Sequence, residues 1–179
     1  MALSTRFFSD LLERSLNEGF PILLHVDPSD VLSCQMTIVL SIFTDHVLVA
    51  TYERSGRLEC LQVIDQADIV RVSHGGAFYE ATLEAMSYHP PTVGLDLRFK
   101  DLDSCLEYLK TRSEAVALVS RQDDVTRGFL IGYGEDYFAL NNYSPSAKFQ
   151  GEEVVARSDI RAIEFQSADL QTLARLVRR

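Results

Sequence analysis

Cysteine is scarce: Cys34, Cys60 and Cys105 are an odd number, widely spaced, with no CxxC pair. That spacing suits neither a disulfide framework nor a zinc site and reads as small buried thiols in a reducing, cytoplasmic compartment. No apolar run approaches the ~20 residues of a membrane helix. The start, residues 1–8, lacks a basic region followed by an apolar stretch, so no secretory signal is expected. The four histidines, His25, His46, His74 and His89, form no HExxH motif and no pair at helical spacing, and no metal or other cofactor is expected. The sequence His74-Gly75-Gly76 lacks the context of a phosphate-binding loop and reads as a flexible turn before a helix. No nucleophile–base pair can be assembled, so no catalytic residue is assigned and an enzyme is not expected. Basic residues are also in deficit, with 17 Lys and Arg against 26 Asp and Glu and a net charge of −9. Such a chain repels a polyphosphate backbone on average, which excludes a DNA-coating role.

What is present is ordinary globular usage, 46% hydrophobic and 24% charged residues in a chain of 179, enough for one medium domain or two small ones. Sliding the sequence against itself by 91 positions lays residues 35–77 over 126–168 without a gap. Seven positions are identical: Asp45/Asp136, Tyr52/Tyr143, Ser55/Ser146, Val63/Val154, Asp68/Asp159, Ile69/Ile160 and Ala77/Ala168. Apolar positions also pair, among them Val39/Leu130, Val47/Phe138, Val49/Leu140 and Ile64/Val155. We read a tandem duplication.

Each copy carries the same order of elements. An amphipathic helix comes first, with Phe7, Phe8, Leu11, Leu12 and Leu16 in copy one and Leu102, Leu106 and Leu109 in copy two, where Asp101 or Asp103 can cap it. Five short strands follow, at 20–27, 37–43, 47–52, 58–64 and 69–72, and at 115–120, 128–133, 137–143, 149–155 and 160–165. A second helix closes each copy, at 77–86 and 168–177. Residues 87–100, with Pro90-Pro91, read as a linker. The expected domains are therefore 1–86 and 101–179. The fold class is mainly β with flanking helices (α+β): two tandem five-stranded small barrels, each preceded and followed by a helix.

Helix, five strands and a one-turn connection between the fourth and fifth strands resemble the Sm-like fold. Copy two resembles most the bacterial Sm-like RNA chaperone family, Hfq, through Val116–Gly128, the turn Glu135-Asp136-Tyr137-Phe138 and the stretch 154–163. The pattern is also similar to other SH3-like barrels, PRC-barrel proteins among them. The Sm-like resemblance implies RNA contact through polar residues between the second and third strands and a basic pair between the last two. Copy two keeps Arg157 of that pair, followed by Ser158, while copy one has Asp65-Gln66-Ala67-Asp68 there. On that resemblance the RNA-binding candidates are Tyr137, Arg157, Ser158 and Arg161, with Tyr137, and His46 in copy one, able to stack on a base.

Charge weighs against strong RNA binding: residues 1–86 hold 5 basic and 12 acidic groups, and residues 101–179 hold 10 and 13. RNA binding is therefore expected to be weak and confined to copy two. Other polar groups read as structural. Glu152 and Glu153 are adjacent, point to opposite faces of a strand and suit solvated edge positions. Asp45 and Asp136 form turns, and Asp68 and Asp159 are placed to bond the amides of a turn. Arg175, Arg178 and Arg179 suit a helix C-terminus. The leading expectation is a non-enzymatic assembly or interaction module, with a protein partner or self-association through the edge strands; the alternative is an RNA-binding protein using copy two.

Overall fold

The computed structural model describes residues 2–26, 34–88 and 97–178, with the side chains of residues 2–7 and of Tyr88 left aside. Pro90, Pro91 and most of the expected linker, together with Phe7 as a packing side chain, lie outside the described residues. The chain divides into two compact units, residues 1–59 with 64–98, and residues 60–63 with 99–179.

The first unit opens with α1 (Ala2–Glu18), followed by β1 (Ile22–His25), β2 (Gln35–Ile42), β3 (His46–Tyr52) and β4 (Leu58–Asp65). A 3-10 turn (Gln66–Asp68), β5 (Arg71–Ser73) and α2 (Ala77–Tyr88) complete it. The strands run in the order β5-β1-β2-β3-β4. Leu11 and Leu12 of α1 are buried, as their spacing requires. Ser15 of the same helix has a specific task. The β2–β3 register slips between Val39 and Ser41, and the Val39 amide donates to the Ser15 hydroxyl oxygen at 2.9 Å. A buried amide at a bulge is thereby satisfied. Gly56, at φ 78°, leaves no room for a side chain, because a Cβ there would collide with the backbone of α2 at Ala85 and Met86. The last strand starts later than expected, at Arg71, after the Ile69 amide closes the 3-10 turn on Gln66 O at 3.2 Å.

The second unit holds α3 (Leu102–Thr111), β6 (Ala115–Ser120), β7 (Val125–Tyr133), β8 (Tyr137–Tyr143) and β9 (Phe149–Ala156). A second 3-10 turn (Arg157–Asp159), β10 (Ile160–Phe165) and α4 (Ala168–Val177) follow. Asp101 is the cap of α3: its carboxylate accepts from the Ser104 amide at 2.8 Å, which holds its pKa below the usual carboxylate range. Helix α4 lays Leu170 and Leu173 on Ala115 and Ala117 of β6, with Phe129 and Tyr143 packed alongside. Arg178 at its end donates to Ser113 O at 2.9 Å and to Arg112 O at 3.2 Å, so this arginine serves the C-terminal end of α3.

Register carries the repeat into three dimensions. Val39↔Val49 and Ser41↔Leu48 flank the slip in β2–β3, and Leu130↔Leu140 and Gly132↔Ala139 flank the slip in β7–β8. Each pair is the other shifted by 91. The Gln66 amide bonds Asp45 O at 2.8 Å, as the Arg157 amide bonds Asp136 O at 2.9 Å.

The expectation of two closed five-stranded barrels is corrected by the strand order, which runs open. The second unit reads β10-β6-β7-β8-β9, and the neighbour on the other side of β10 is β4, whose residues 60–63 belong to this unit. A strand has two edges. With β6 on one edge of β10 and β4 on the other, none is left for β9, and closure fails for that reason.

The sheet still curls. Thr126 Oγ1 on β7 donates to Glu153 Oε1 on β9 at 3.3 Å, although β8 lies between them. In a flat sheet those backbones would stand about 9.6 Å apart, so the two side chains meet on a concave face. Gly128 permits the close approach this needs, since a Cβ there would collide with the Asn141 carbonyl oxygen.

Two measurements check this architecture. Phe138 is 2% exposed, so Phe138→Ala should destabilise the chain by about 3–5 kcal/mol in chemical denaturation; an unchanged midpoint would contradict the β8 register. Burial pushes the Cys105 thiol up to about 12. An alkylating agent at pH 8 should therefore leave Cys105 unmodified in the folded protein and modify it once denaturant is added.

Candidate functional site

The corner between β7 and β8 collects two of the four candidate residues. The Gly134 amide donates to Tyr137 O at 3.0 Å, and the Tyr137 ring lies over Gly134 so closely that a Cβ there would stand 2.5 Å from Cε1. Arg157, opening the second 3-10 turn, donates from Nη1 to Gly134 O at 3.3 Å. Its guanidinium carbon is also 5.8 Å from the centre of the Phe138 ring. Tyr137, 40% exposed, and Arg157 thus share Gly134 as a common support. This is a ring face beside a cation, the combination on which an unstacked base can rest.

Ser158 and Arg161 are engaged elsewhere. The Ser158 carbonyl accepts from Arg121 Nη1 in the β6–β7 turn, and Arg161 is bridged to Asp123 of that turn. Arg161 is therefore already neutralised by a carboxylate, and Glu135 and Asp136 add exposed negative charge beside Tyr137. The electrostatics of the corner favour little beyond one phosphate at Arg157.

Copy one shows what Arg157 does apart from charge. Its counterpart Gln66 donates from Nε2 to Phe43 O at 3.0 Å and to His46 O at 3.3 Å, and Phe43 is the counterpart of Gly134. The side chain after the fourth strand therefore ties the second-to-third-strand turn in both units, and in copy two a cation performs this task. His46, the stacking candidate in copy one, opens β3 and is half-buried. The carboxylate that serves the first 3-10 turn is Asp65, whose Oδ1 accepts from the Ala67 amide at 2.9 Å.

Two further features bear on the site; the first was not singled out in the sequence, and the second was expected there only as an unspecified edge strand. The first is the concave face of the second unit, which holds a cavity of about 410 Å³ lined by Leu118, Ser120, Thr126, Glu153, Val155 and Ile160, with Arg121, Asp124 and Asp159 at its rim. Glu153 is turned into this face and accepts from Asn142 Nδ2 at 2.6 Å, so only Glu152 of the adjacent pair is a fully solvated edge charge. The second is the outer edge of β9. Leu61, Gln62 and Val63 of β4 are 1%, 5% and 1% exposed, whereas their counterparts Glu152 and Val154 are exposed, Val154 at 70%, as is Phe149 at 58%. The sequence signal for this was the outward alternation Glu152, Val154, Ala156, which sets an apolar side chain on the side away from the cavity.

Among the described residues no group of three or more His, Cys, Asp or Glu side chains could hold a metal ion, and no helix is long and apolar enough to cross a membrane. Compared with known proteins, the chain matches no protein-family model, no curated protein and no solved structure at a significant level.

Proposed function

We propose that the protein is a non-enzymatic interaction and assembly module, a tandem pair of Sm-like units that takes a protein partner along the outer edge of β9. One observation carries this reading: the repeat supplies the same strand twice, covered as β4 and, among the described residues, bare as β9. A bare edge presents unpaired amides and carbonyls to an incoming strand. The sequence of β9, Phe-Gln-Gly-Glu-Glu-Val-Val-Ala, has no lysine or proline to discourage pairing. Its exposed Phe149 and Val154 supply apolar area that water leaves on contact. The free thiols Cys34, Cys60 and Cys105 suit a reducing, cytoplasmic setting. The amides of β9 that point away from β8 should exchange with deuterium as fast as open peptide in dilute monomeric protein, and slow markedly when a partner binds. Slow exchange there in the dilute monomer would show the edge to be already covered and end this reading.

A second reading, RNA binding by copy two, is favoured by the convergence of Tyr137 and Arg157 on Gly134. One arginine neutralises about one phosphate, so log K should fall against log salt with a slope of about −0.7. Stacking on Tyr137 would add about 1–3 kcal/mol for one base. Titration of a short uridine- or adenine-rich RNA into the full chain at several salt concentrations tests this. Arg157→Gln, which installs the residue that copy one uses, should keep the fold and abolish the binding. A steep salt slope, or binding unchanged in Arg157→Gln, would place the RNA contact on other residues.

A further inference from the structure

We infer that the concave face of the second unit is a binding site for a small alkylguanidinium group. The Glu153 carboxylate holds the guanidinium, and Leu118, Val155 and Ile160 receive the alkyl chain. This site lies on the inner side of β9 and is independent of its outer edge.

The site begins with the alternation of β9. Glu153 and Val155 are two residues apart, so they share one face of the strand, and both line the cavity of about 410 Å³. Leu118 of β6 is 1% exposed and Ile160 of β10 is 6% exposed. With Val155 they give the cavity an apolar wall. The volume has room for about a dozen water-sized groups. Water along that wall finds few hydrogen-bond partners, so an apolar chain displaces it favourably.

A half-buried carboxylate beside such a wall is short of water and is best satisfied by a cation. Its present partners are both neutral: Thr126 Oγ1 donates to Oε1 at 3.3 Å and Asn142 Nδ2 to Oε2 at 2.6 Å. Among the described residues no salt bridge reaches Glu153, and Arg121, the cation of the lining, is turned to the Ser158 carbonyl. Each Glu153 oxygen keeps a second lone pair, and two adjacent acceptors match the fork of a guanidinium. A guanidinium is also more weakly hydrated than an ammonium, so it gives up less on entering a half-apolar cavity.

The rest of the lining favours the same ligand. Asp124 and Asp159 add two carboxylates against the single cation Arg121. That acidic rim disfavours a ligand whose far end is itself a carboxylate, so the far end is neutral or cationic. Copy one lacks the site, because Gln62, the counterpart of Glu153, is neutral, 5% exposed and bonded to Glu164.

Calorimetric titration of the full chain at low salt tests this with butylguanidinium and with butylurea, which has nearly the same shape and no charge. Butylguanidinium should bind saturably and butylurea at least about tenfold more weakly. Glu153→Gln keeps the size of the side chain and should weaken butylguanidinium binding at least about tenfold. Circular dichroism checks that this variant is folded. If it is not, Val155→Phe takes its place, since it fills the cavity without altering charge and should abolish binding. Two further probes separate the sources of the group. Agmatine presents it on a free small molecule and N-acetylarginine amide as a protein side chain would, and the tighter binder names the source. Free arginine, with its carboxylate, should bind more weakly than both. No saturable binding of butylguanidinium, equal binding of butylurea, affinity unchanged in the folded variant, or tighter binding of free arginine overturns the inference.

Discussion

A strand edge can be paired only once, and the second unit is organised by how that limit is met at β10. One edge of β10 goes to β6 in an antiparallel ladder, and the other lies beside β4. The remaining features follow in order. β9 cannot close the sheet, the concave face keeps a cavity of about 410 Å³, and the last strand ends bare. Closure would have removed the edge; without it β9 keeps one.

Duplication kept the backbone and changed the side chains. In the turns that join the second strand to the third, the third to the fourth and the fourth to the fifth, the same amides bond the same carbonyls in both units, because register and turn geometry tolerate few alternatives. The side chains on that frame were free to diverge. Gln66 and Arg157 tie the same turn, one neutral and one cationic. Gln62 faces Glu164 as a donor, while its counterpart Glu153 is an acceptor held by Thr126 and Asn142. A frame of this kind fixes where groups stand but leaves their chemistry open, which is why fold and function separate.

The acidic balance shapes the functional reading as much as the fold does. Arg161 is spent on Asp123 and Arg121 on the Ser158 carbonyl, which leaves Arg157 as the cation best placed beside an exposed aromatic ring. A nucleic-acid surface needs several such groups acting together. An edge strand needs none, since its main-chain groups supply the attraction and charge only selects among partners.

Most of the secondary structure was legible in the sequence. The apolar periods of α1, α3 and α4 mark helices, and the identities spaced by 91 predict that β2–β4 and β7–β9 share one register. Local physics explains this legibility, because the period of side chains along an element is set by the element itself. The same physics offered Asp101 or Asp103 as a cap, of which the structure uses Asp101, and set Arg178 at the end of the last helix without showing that it bonds carbonyls at the end of α3. It could not show that Ser15 would serve a bulge at Val39, nor that Glu153 would meet Thr126 across an intervening strand. The sequence by itself determined the elements, their order and the repeat. Only the tertiary structure decided that the small sheets stay open and that β4 is covered while β9 is bare, because edge pairing joins residues far apart in sequence and leaves no periodic trace along the chain.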